Sequence, residues 1–191
     1  MGLGIILIGP IGAGKSTIGT LIARKLRVPS VSLDTVRFKY YRQIGYDQPM
    51  AEAIELEQGF LGLYRYWKPF EAYAVERVLA EFNHCVIDFG AGHSVYEDNA
   101  LFDRVQRALH SYANVVLLLP SPDLDELVQI LKQRRGEWLS QGVDFHEHFV
   151  KHASNHALAR HVVYIKDKTP RATCAEILNK TSSRRSGAAF W

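Results

Sequence analysis

The sequence is poor in cysteine, in long apolar runs and in unbalanced charge, and each absence narrows the class of protein. Its two cysteines, Cys85 and Cys174, form no Cys-x-x-Cys pair, so we expect no disulfide framework and two buried thiols in a reducing compartment. No apolar stretch approaches membrane-spanning length, and the N-terminus leads into a strand and a loop rather than a signal peptide. We therefore expect a cytoplasmic protein with no membrane contact.

The charge balance sets further limits. The 191 residues carry 23 Lys and Arg against 20 Asp and Glu, and the basic residues are scattered rather than massed. This distribution does not require a nucleic-acid groove, and it identifies no protein partner. A hydrophobic content of 47% without internal repeats predicts one domain over residues 1–180, followed by a polar tail at 181–191.

The most informative motif lies near the N-terminus. Residues 9–16 read GPIGAGKS, the pattern G-x-x-x-x-G-K-[ST], after an apolar run and before a helical repeat of apolar residues. In this setting glycines let backbone N–H groups turn toward phosphate oxygens, Lys15 supplies charge to the β- and γ-phosphates, and Ser16 offers a hydroxyl to Mg²⁺. The predicted ATP site comprises Gly9, Ile11, Gly12, Ala13, Gly14, Lys15, Ser16 and Thr17.

Apolar, β-rich segments alternate with helical patterns along the chain. Such alternation predicts an α/β fold in three layers, a five-stranded parallel sheet with helices on both faces. Ser121–Pro122 and Thr169–Pro170 each read as a capping residue followed by the first residue of a helix. The five strand segments are Gly4–Ile8, Ser30–Leu33, Cys85–Phe89, Val115–Leu119 and His161–Ile165.

Two stretches exceed what a sheet with single crossover helices needs. Residues 34–79 are too long for one helix and predict a helical flap beside the carboxyl edge of the sheet. Its aromatic-rich segment, 60–70, is expected for the most part to pack the core of the flap itself. Residues 134–150 are polar and punctuated by glycine, which predicts a mobile lid.

Ligands of an open parallel sheet bind at the carboxyl ends of its strands, and two of these ends carry carboxylates. Asp34 follows the second strand and would orient a hydroxyl as it attacks the γ-phosphoryl group, or else cap the next helix. Asp88 ends the third strand in the manner of a Walker B acid and would orient waters on Mg²⁺, or else be a plain loop acid. Gly90-Ala91-Gly92 permits a ligand to approach the backbone closely, or forms an ordinary turn.

Together these residues predict a phosphotransferase. Phosphoryl transfer is largely positioning and charge neutralisation, so it needs a carboxylate on the nucleophile, the loop lysine, Mg²⁺ and a lid arginine. Arg134 and Arg135 follow the apolar stripe of their helix and would reach the nucleotide when the lid closes, although paired arginines are also common on solvated surfaces. The catalytic candidates are Lys15, Asp34 and Arg134.

On these residues the chain resembles the shikimate-kinase-like members of the nucleoside monophosphate kinase group of P-loop proteins, over about residues 3–178. The resemblance implies a sheet order of 2-3-1-4-5. It gives Asp34 the place of the second acid of an Asp-x-Asp element, and residues 90–92 the place of a triple glycine that contacts substrate. The nucleotide contacts it implies outside the P-loop are Arg134, Thr169 and Pro170.

Departures from the family pattern point away from shikimate as the acceptor. Ser32 stands where the family has its first Asp, which contacts a water on magnesium. Asp88 would replace that carboxylate with another one that faces the same ion. Tyr73 stands where an arginine is expected, three positions before Glu76, to clasp the carboxylate of shikimate. A phenol cannot make those bidentate bonds, so we expect shikimate to be a poor acceptor. The candidates for a different anion clamp are Arg37, Arg42, Arg65 and Lys68.

A histidine series offers a competing site. His148, His152 and His156 would share one face of a continuous helix and hold zinc there. A helix break is expected at Ser154–Asn155, so we interpret them as solvated or core-edge histidines rather than metal ligands.

The sequence thus predicts an ATP- and Mg²⁺-dependent kinase acting on a hydroxyl of a small metabolite. Two alternatives stay open: a kinase of a nucleoside, sugar acid or antibiotic, and a regulatory protein that binds ATP without transferring its phosphate. Asp34 distinguishes a kinase from the regulatory protein, because a protein that only binds nucleotide needs no carboxylate on the acceptor side.

Overall fold

A computed structural model describes residues 4–182. Five parallel strands form the central sheet, and a two-stranded antiparallel hairpin lies apart from it. The sheet strands are β1 (Ile5–Ile8), β2 (Ser30–Ser32), β3 (Val86–Asp88), β4 (Val115–Leu119) and β7 (His161–Tyr164), and the hairpin strands are β5 (Leu139–Ser140) and β6 (Val143–Asp144). The sheet order β2-β3-β1-β4-β7 confirms the predicted 2-3-1-4-5, because β7 is the fifth strand of the sheet.

Helices follow nearly every strand. Short 3₁₀ turns lie at Arg42–Ile44 and Ala91–Ser94. The α-helices are α1 (Lys15–Leu26), α2 (Leu33–Tyr41), α3 (Gln48–Glu81), α4 (Asn99–Leu109), α5 (Leu124–Arg135), α6 (Phe145–Lys151), α7 (Ala153–Leu158) and α8 (Pro170–Ser182). Across residues 4–182, no helix combines the length and the apolar character needed to span a bilayer.

The two faces of the sheet bury two separate cores. Side chains alternate along β1, so that Ile6 and Ile8 pack toward α3 and α4 while Ile5 and Leu7 pack toward α1 and α8. Because both faces are covered, the central strands are apolar along their whole length. Cys85 and Cys174 are free thiols buried in these cores.

The flap consists of α2, the first 3₁₀ turn and the long helix α3. Gly59 interrupts α3 with φ +63°, and an ideal Cβ there would lie 3.0 Å from Ser140 Oγ of the hairpin. The aromatic segment of the flap divides between two neighbours. Tyr66 and Phe70 pack within the flap as expected, whereas Phe60 and Tyr64 pack against the lid.

The segment predicted as a lid, residues 134–150, contains the β5–β6 hairpin and most of α6, and it lies against the flap. Phe60 is 4.8 Å from the ring of Trp138 and 4.7 Å from that of Phe145, measured between centroids. Lys132, near the end of α5, forms an ion pair with Asp144 at 2.7 Å. The segment is therefore held to the flap by aromatic packing and to α5 by charge.

Two predicted helix boundaries were wrong and one is confirmed. Asp123 rather than Ser121 caps α5, accepting from Glu126 N at 2.8 Å, because the chain turns inward two residues later than the Ser-Pro pair indicates. Thr169 caps α8 as predicted. The break between the histidines falls at His152, whose ring accepts from Ser154 N, and not at Ser154–Asn155. Of the predicted tail, residues 181 and 182 end α8, and 183–191 lie outside the described residues.

Candidate active site

The loop between β1 and α1 depends on glycine at three positions. Gly9, Gly12 and Gly14 have φ of +132°, +81° and +79°, conformations that L side chains rarely adopt. At Gly9 space is also lacking, since an ideal Cβ would lie 2.5 Å from Leu118 O in β4. The loop therefore turns tightly over the end of the sheet and directs α1, with its positive N-terminal end, toward the cavity above.

Lys15 is buried beneath this loop. Its Nζ donates to Gly9 O at 2.7 Å and to Pro10 O at 2.8 Å. Burial lowers the pKa of Lys15 to about 8, although the carboxylates of Asp34 and Asp88 act in the opposite direction. A charged ammonium thus sits at the base of the loop at neutral pH with little water around it, which strengthens its attraction for a phosphate.

A cavity of about 450 Å³ separates the loop from the flap and lid. It is lined by Ile11, Gly12, Gly14, Lys15, Ser16 and Thr17 of the predicted ATP site, whereas Gly9 and Ala13 do not line it. Asp34, Arg37 and the turn after β3 also line it, with aromatic side chains from α3 and the lid. The structure therefore brings the phosphate-binding loop and the acceptor-side carboxylate to one space.

Asp34 lies in the first turn of α2 and points into this cavity rather than capping the helix, since Ser32 occupies the N-cap position. Its Oδ1 is 3.9 Å from Arg37 Nη1 and 4.0 Å from His93 Nδ1. Two of the three residues 90–92 are packed against carboxylates, because an ideal Cβ at Gly90 would be 2.1 Å from Asp34 Oδ1 and one at Gly92 2.3 Å from Glu71 Oε1. Glycine is required at both positions for space.

Glu71 and Lys68 form a buried ion pair next to the acceptor side, one turn apart on α3. Lys68 Nζ also donates to Gly92 O at 3.0 Å and Val95 O at 3.1 Å, so its donors are engaged and it is no free anion clamp. Among the four clamp candidates only Arg37 lines the cavity; Arg42 and Arg65 are exposed outside it. Tyr73 also lies outside, donating to Gln43 Oε1 at 3.0 Å.

Asp88 is buried at the carboxyl end of β3, in register with Leu7 of β1 and Ser32 of β2. It lies behind the cavity wall and acts on Lys15 through its charge. This is the expected position for an acid at the end of a strand next to the phosphate-binding loop.

The remaining predicted nucleotide contacts lie at the outer side of the loop. Arg134 Nη1 donates to Gly12 O at 3.1 Å, and Arg135 lines the cavity beside it. Thr169 and Pro170 begin α8 and do not line the cavity.

Several residues that line the cavity were not predicted from the sequence. Glu71 and His93 carried no recognisable signal, since a lone acid in a helix and a lone histidine are ordinary on any surface. Trp138, and Trp67 within the aromatic segment, are lining residues that only the packing of lid on flap brings together. The histidine series holds no metal site: within residues 4–182 no three His, Cys, Asp or Glu side chains are grouped to bind an ion.

A phosphate-binding loop that faces a carboxylate at the carboxyl edge of a 2-3-1-4-5 sheet, under a flap and a lid, defines a P-loop kinase. The family model for shikimate kinase matches residues 11–182, and the chain belongs to the shikimate kinase family. It is accordingly a P-loop kinase that transfers a phosphoryl group to a hydroxyl of a small metabolite, and ATP use follows from the family.

Individual relatives agree with this placement. A shikimate kinase from Francisella tularensis subsp. holarctica is 29% identical over 181 residues, which are 94% of this chain and 92% of that protein. The solved shikimate kinase from Acinetobacter baumannii in complex with shikimate is 20% identical, with a TM-score of 0.61 over 98% of this chain and 95% of the other. A gluconokinase from Sinorhizobium meliloti 1021 is 14% identical, with a TM-score of 0.51 over 98% of each chain. At these identities the two structures support the fold alone.

Proposed function

We propose that this kinase transfers the γ-phosphoryl group of ATP, with Mg²⁺, to a hydroxyl of a small metabolite other than shikimate, and that Asp34 orients that hydroxyl. The observation that carries the proposal is that Lys15 and Asp34 line the same cavity, close enough for the charge of Asp34 to act on Lys15.

The phosphate-binding loop would hold the nucleotide. Backbone N–H groups of residues 9–17 would surround the phosphates, and Lys15 would neutralise charge on the transferred group. Arg134 is near the loop already and would contact the nucleotide from the lid side. Thr169 and Pro170 would contact the adenine, as the family resemblance implies.

The residues for Mg²⁺ are Ser16 and Asp88. Magnesium keeps several waters and needs few carboxylates, so one exposed hydroxyl in the first turn of α1 and one buried acid at the end of β3 fit it. When bound, the ion would neutralise charge on the β- and γ-phosphates. Asp88 would hold its waters, and Ser16 would be a direct ligand.

The acceptor side belongs to Asp34 and the turn after β3. A carboxylate at this position accepts a hydrogen bond from the attacking hydroxyl and directs its lone pair at the γ-phosphorus. Residues 90–92 and Arg37 would contact the rest of the acceptor, because Arg37, Ala91 and Gly92 line the cavity together with Asp34.

Shikimate is a poor fit to this side of the cavity. Its carboxylate needs a free, bidentate cation, and Tyr73, at the position expected for that arginine, turns to Gln43 instead. Arg37 already lies next to Asp34. A regulator that binds ATP without transferring its phosphate is not favoured, because such a protein would not need the Asp34 carboxylate in the same cavity as the phosphate-binding loop.

The test is an ADP-release assay with Mg²⁺–ATP against hydroxylated metabolites, shikimate among them. We expect an acceptor other than shikimate to raise turnover above the basal ATPase, and Lys15→Met to abolish ATP binding. Tight ATP binding with no acceptor-dependent turnover would favour the regulator, and efficient turnover of shikimate would refute our exclusion of it.

A further inference from the structure

We propose that the acceptor is an uncharged, hydroxyl-bearing molecule with an aromatic or other flat apolar ring, held against a wall formed by Phe60, Trp67 and Trp138. This inference rests on the proposed kinase function and names the class of its second substrate.

The aromatic wall, Phe60, Trp67 and Trp138, is continuous. Phe60 lies between the two tryptophans, with its ring centroid 4.8 Å from Trp138 and 6.1 Å from Trp67. All three side chains line the cavity and remain partly exposed, whereas Phe145 behind them is fully buried. Arg37 covers part of Trp67, 4.6 Å from the ring centroid, and the parts of the three rings that stay exposed offer a ring-shaped ligand a surface for stacking.

Polar groups without partners lie around this wall. Within residues 4–182, Trp67 Nε1 and His93 Nδ1 are shielded from solvent and have no hydrogen-bond partner. Such atoms are costly to bury, and both belong to side chains that line the cavity. A small movement of the surrounding side chains would let hydroxyl or carbonyl oxygens of a bound ligand reach them.

The charges of the acceptor side are balanced. Arg37 is stacked between Phe38 and Trp67, 4.7 and 4.6 Å from their centroids, and lies 3.9 Å from Asp34. Glu71 is paired with Lys68. Burial lowers the pKa of His93 to about 3, so this imidazole is neutral. An anionic acceptor would have to compete with Asp34 and Glu71 for these two cations, whereas a neutral one would not.

The size of the cavity limits the acceptor. About 450 Å³ must also admit the terminal phosphate, which leaves room for a molecule of one or two rings. Arg37, stacked between two rings, lines one end of this space.

The experiment compares matched pairs that carry the same hydroxyls with and without a ring. The probes are phenyl and methyl β-D-glucoside, and 1-phenyl-1,2-ethanediol and 1,2-propanediol, with shikimate and D-gluconate as hydroxy acids. Affinities are measured by ligand-observed NMR with Mg²⁺–ADP present, which fills the nucleotide site, and transfer rates with Mg²⁺–ATP. We expect the ring members to bind about tenfold more tightly than their partners.

Variants link that preference to the wall. Trp67→Leu, and separately Trp138→Leu in case the first variant folds poorly, should abolish the ring preference. Tyr164→Leu removes an exposed ring on β7 outside the cavity and should leave the preference unchanged. The inference is overturned if ring and methyl members bind equally, if no ring member binds, or if the hydroxy acids bind best.

Different results would contradict the kinase function and the ring-bearing acceptor. Transfer to a hydroxy acid that Asp34→Asn abolishes would overturn the ring acceptor and leave the kinase standing. Binding of ring compounds that depends on Trp67, without transfer to any acceptor, would support the aromatic site and count against the kinase.

Discussion

The carboxylate of Asp34 occupies the space that a side chain at position 90 would need: an ideal Cβ on Gly90 would be 2.1 Å from Asp34 Oδ1. Gly90 itself has φ −60°, which any residue adopts, so the need for glycine arises from the neighbouring acid and not from the backbone. The same Cβ would lie 2.7 Å from His93 Nδ1. The Asp34 carboxylate therefore packs directly over the turn after β3.

Gly90→Ala should displace Asp34 without disturbing the phosphate-binding loop. We expect kcat to fall by about 10²-fold, because a misplacement near 1 Å has that effect on an oriented reaction, while the Kd for ATP stays the same. Steady-state kinetics and calorimetry measure the two quantities. A variant with full activity would show that the position of Asp34 is not critical.

The pKa of Lys15 predicts how ATP affinity depends on pH. Burial lowers this pKa to about 8, so the free enzyme loses the charge as the pH rises above that value. ATP affinity should be nearly constant up to about pH 7, fall about twofold by pH 8 and then fall by at most tenfold per pH unit. Calorimetry across pH 7 to 9.5 tests this, with Lys15→Met weak at every pH. Unchanged wild-type affinity at pH 9.5 would contradict it.

The same shift affects stability with the opposite sign. Because the unfolded chain keeps its proton up to about pH 10.5, the contribution of Lys15 to the free energy of unfolding should rise between pH 8 and 10.5. Comparing the wild type with Lys15→Met in urea at each pH isolates this contribution. A difference between the two proteins that does not change with pH would argue against a lowered pKa.

Breaking the Lys68–Glu71 ion pair should lower the free energy of unfolding more than replacing both of its residues with apolar ones. Lys68→Met leaves a buried carboxylate unpaired, and we expect it to lower the free energy of unfolding by about 3 kcal/mol. The double variant Lys68→Met/Glu71→Leu removes both charges and should recover much of that loss. Urea unfolding measures both variants; a double variant less stable than the single one would mean that the pair is net stabilising.

Glu97 fastens the lid to the flap. Its Oε1 accepts from Tyr64 Oη of α3 at 2.8 Å and lies 2.9 Å from His148 Nε2 of α6. Burial alone would raise the pKa of Glu97, but these hydrogen bonds hold it at about 2, so the carboxylate stays ionised at neutral pH. Glu97→Gln should speed hydrogen exchange in residues 134–150 by up to about fivefold, as for a partly exposed ion pair.

The matched control for that change is Glu147→Gln. Glu147 pairs with Lys151 within α6 and does not bridge the lid to the flap, so its removal should leave lid exchange unchanged. Equal effects of the two substitutions would assign the change to α6 itself and not to the contact with Glu97.

Local patterns in the sequence account for the parts of the fold that were predicted. The continuous apolar run Ile5–Ile8 and the spacing of Gly9, Gly12 and Gly14 are local features, so the strand and its loop could be predicted directly from the sequence. Asp34 and Asp88 followed from one further rule, that parallel strands end at a common edge.

The missed features depend on partners far along the chain. Phe60 looks like a core residue of the flap until Trp138, about 80 residues later, folds onto it. Lys68 looks like an exposed lysine until Glu71 and the carbonyl of Gly92 surround it. The cap of α5 was misplaced for a simpler reason, since Ser121 and Asp123 are both good capping residues and only the path of the chain decides between them.

In the proposed mechanism the phosphate-binding loop binds ATP, and Asp34 separately directs an alcohol toward the bound nucleotide. The most direct test uses Asp34→Asn, with Asp103→Asn, an exposed acid of α4, as the matched control. Phosphorylated product is followed by ³¹P NMR with the best acceptor, and ATP binding by calorimetry. We predict that Asp34→Asn loses about 10²- to 10⁴-fold in transfer rate, as expected for loss of a proton acceptor, with ATP affinity unchanged. Transfer at the rate of the wild type by Asp34→Asn would contradict the account.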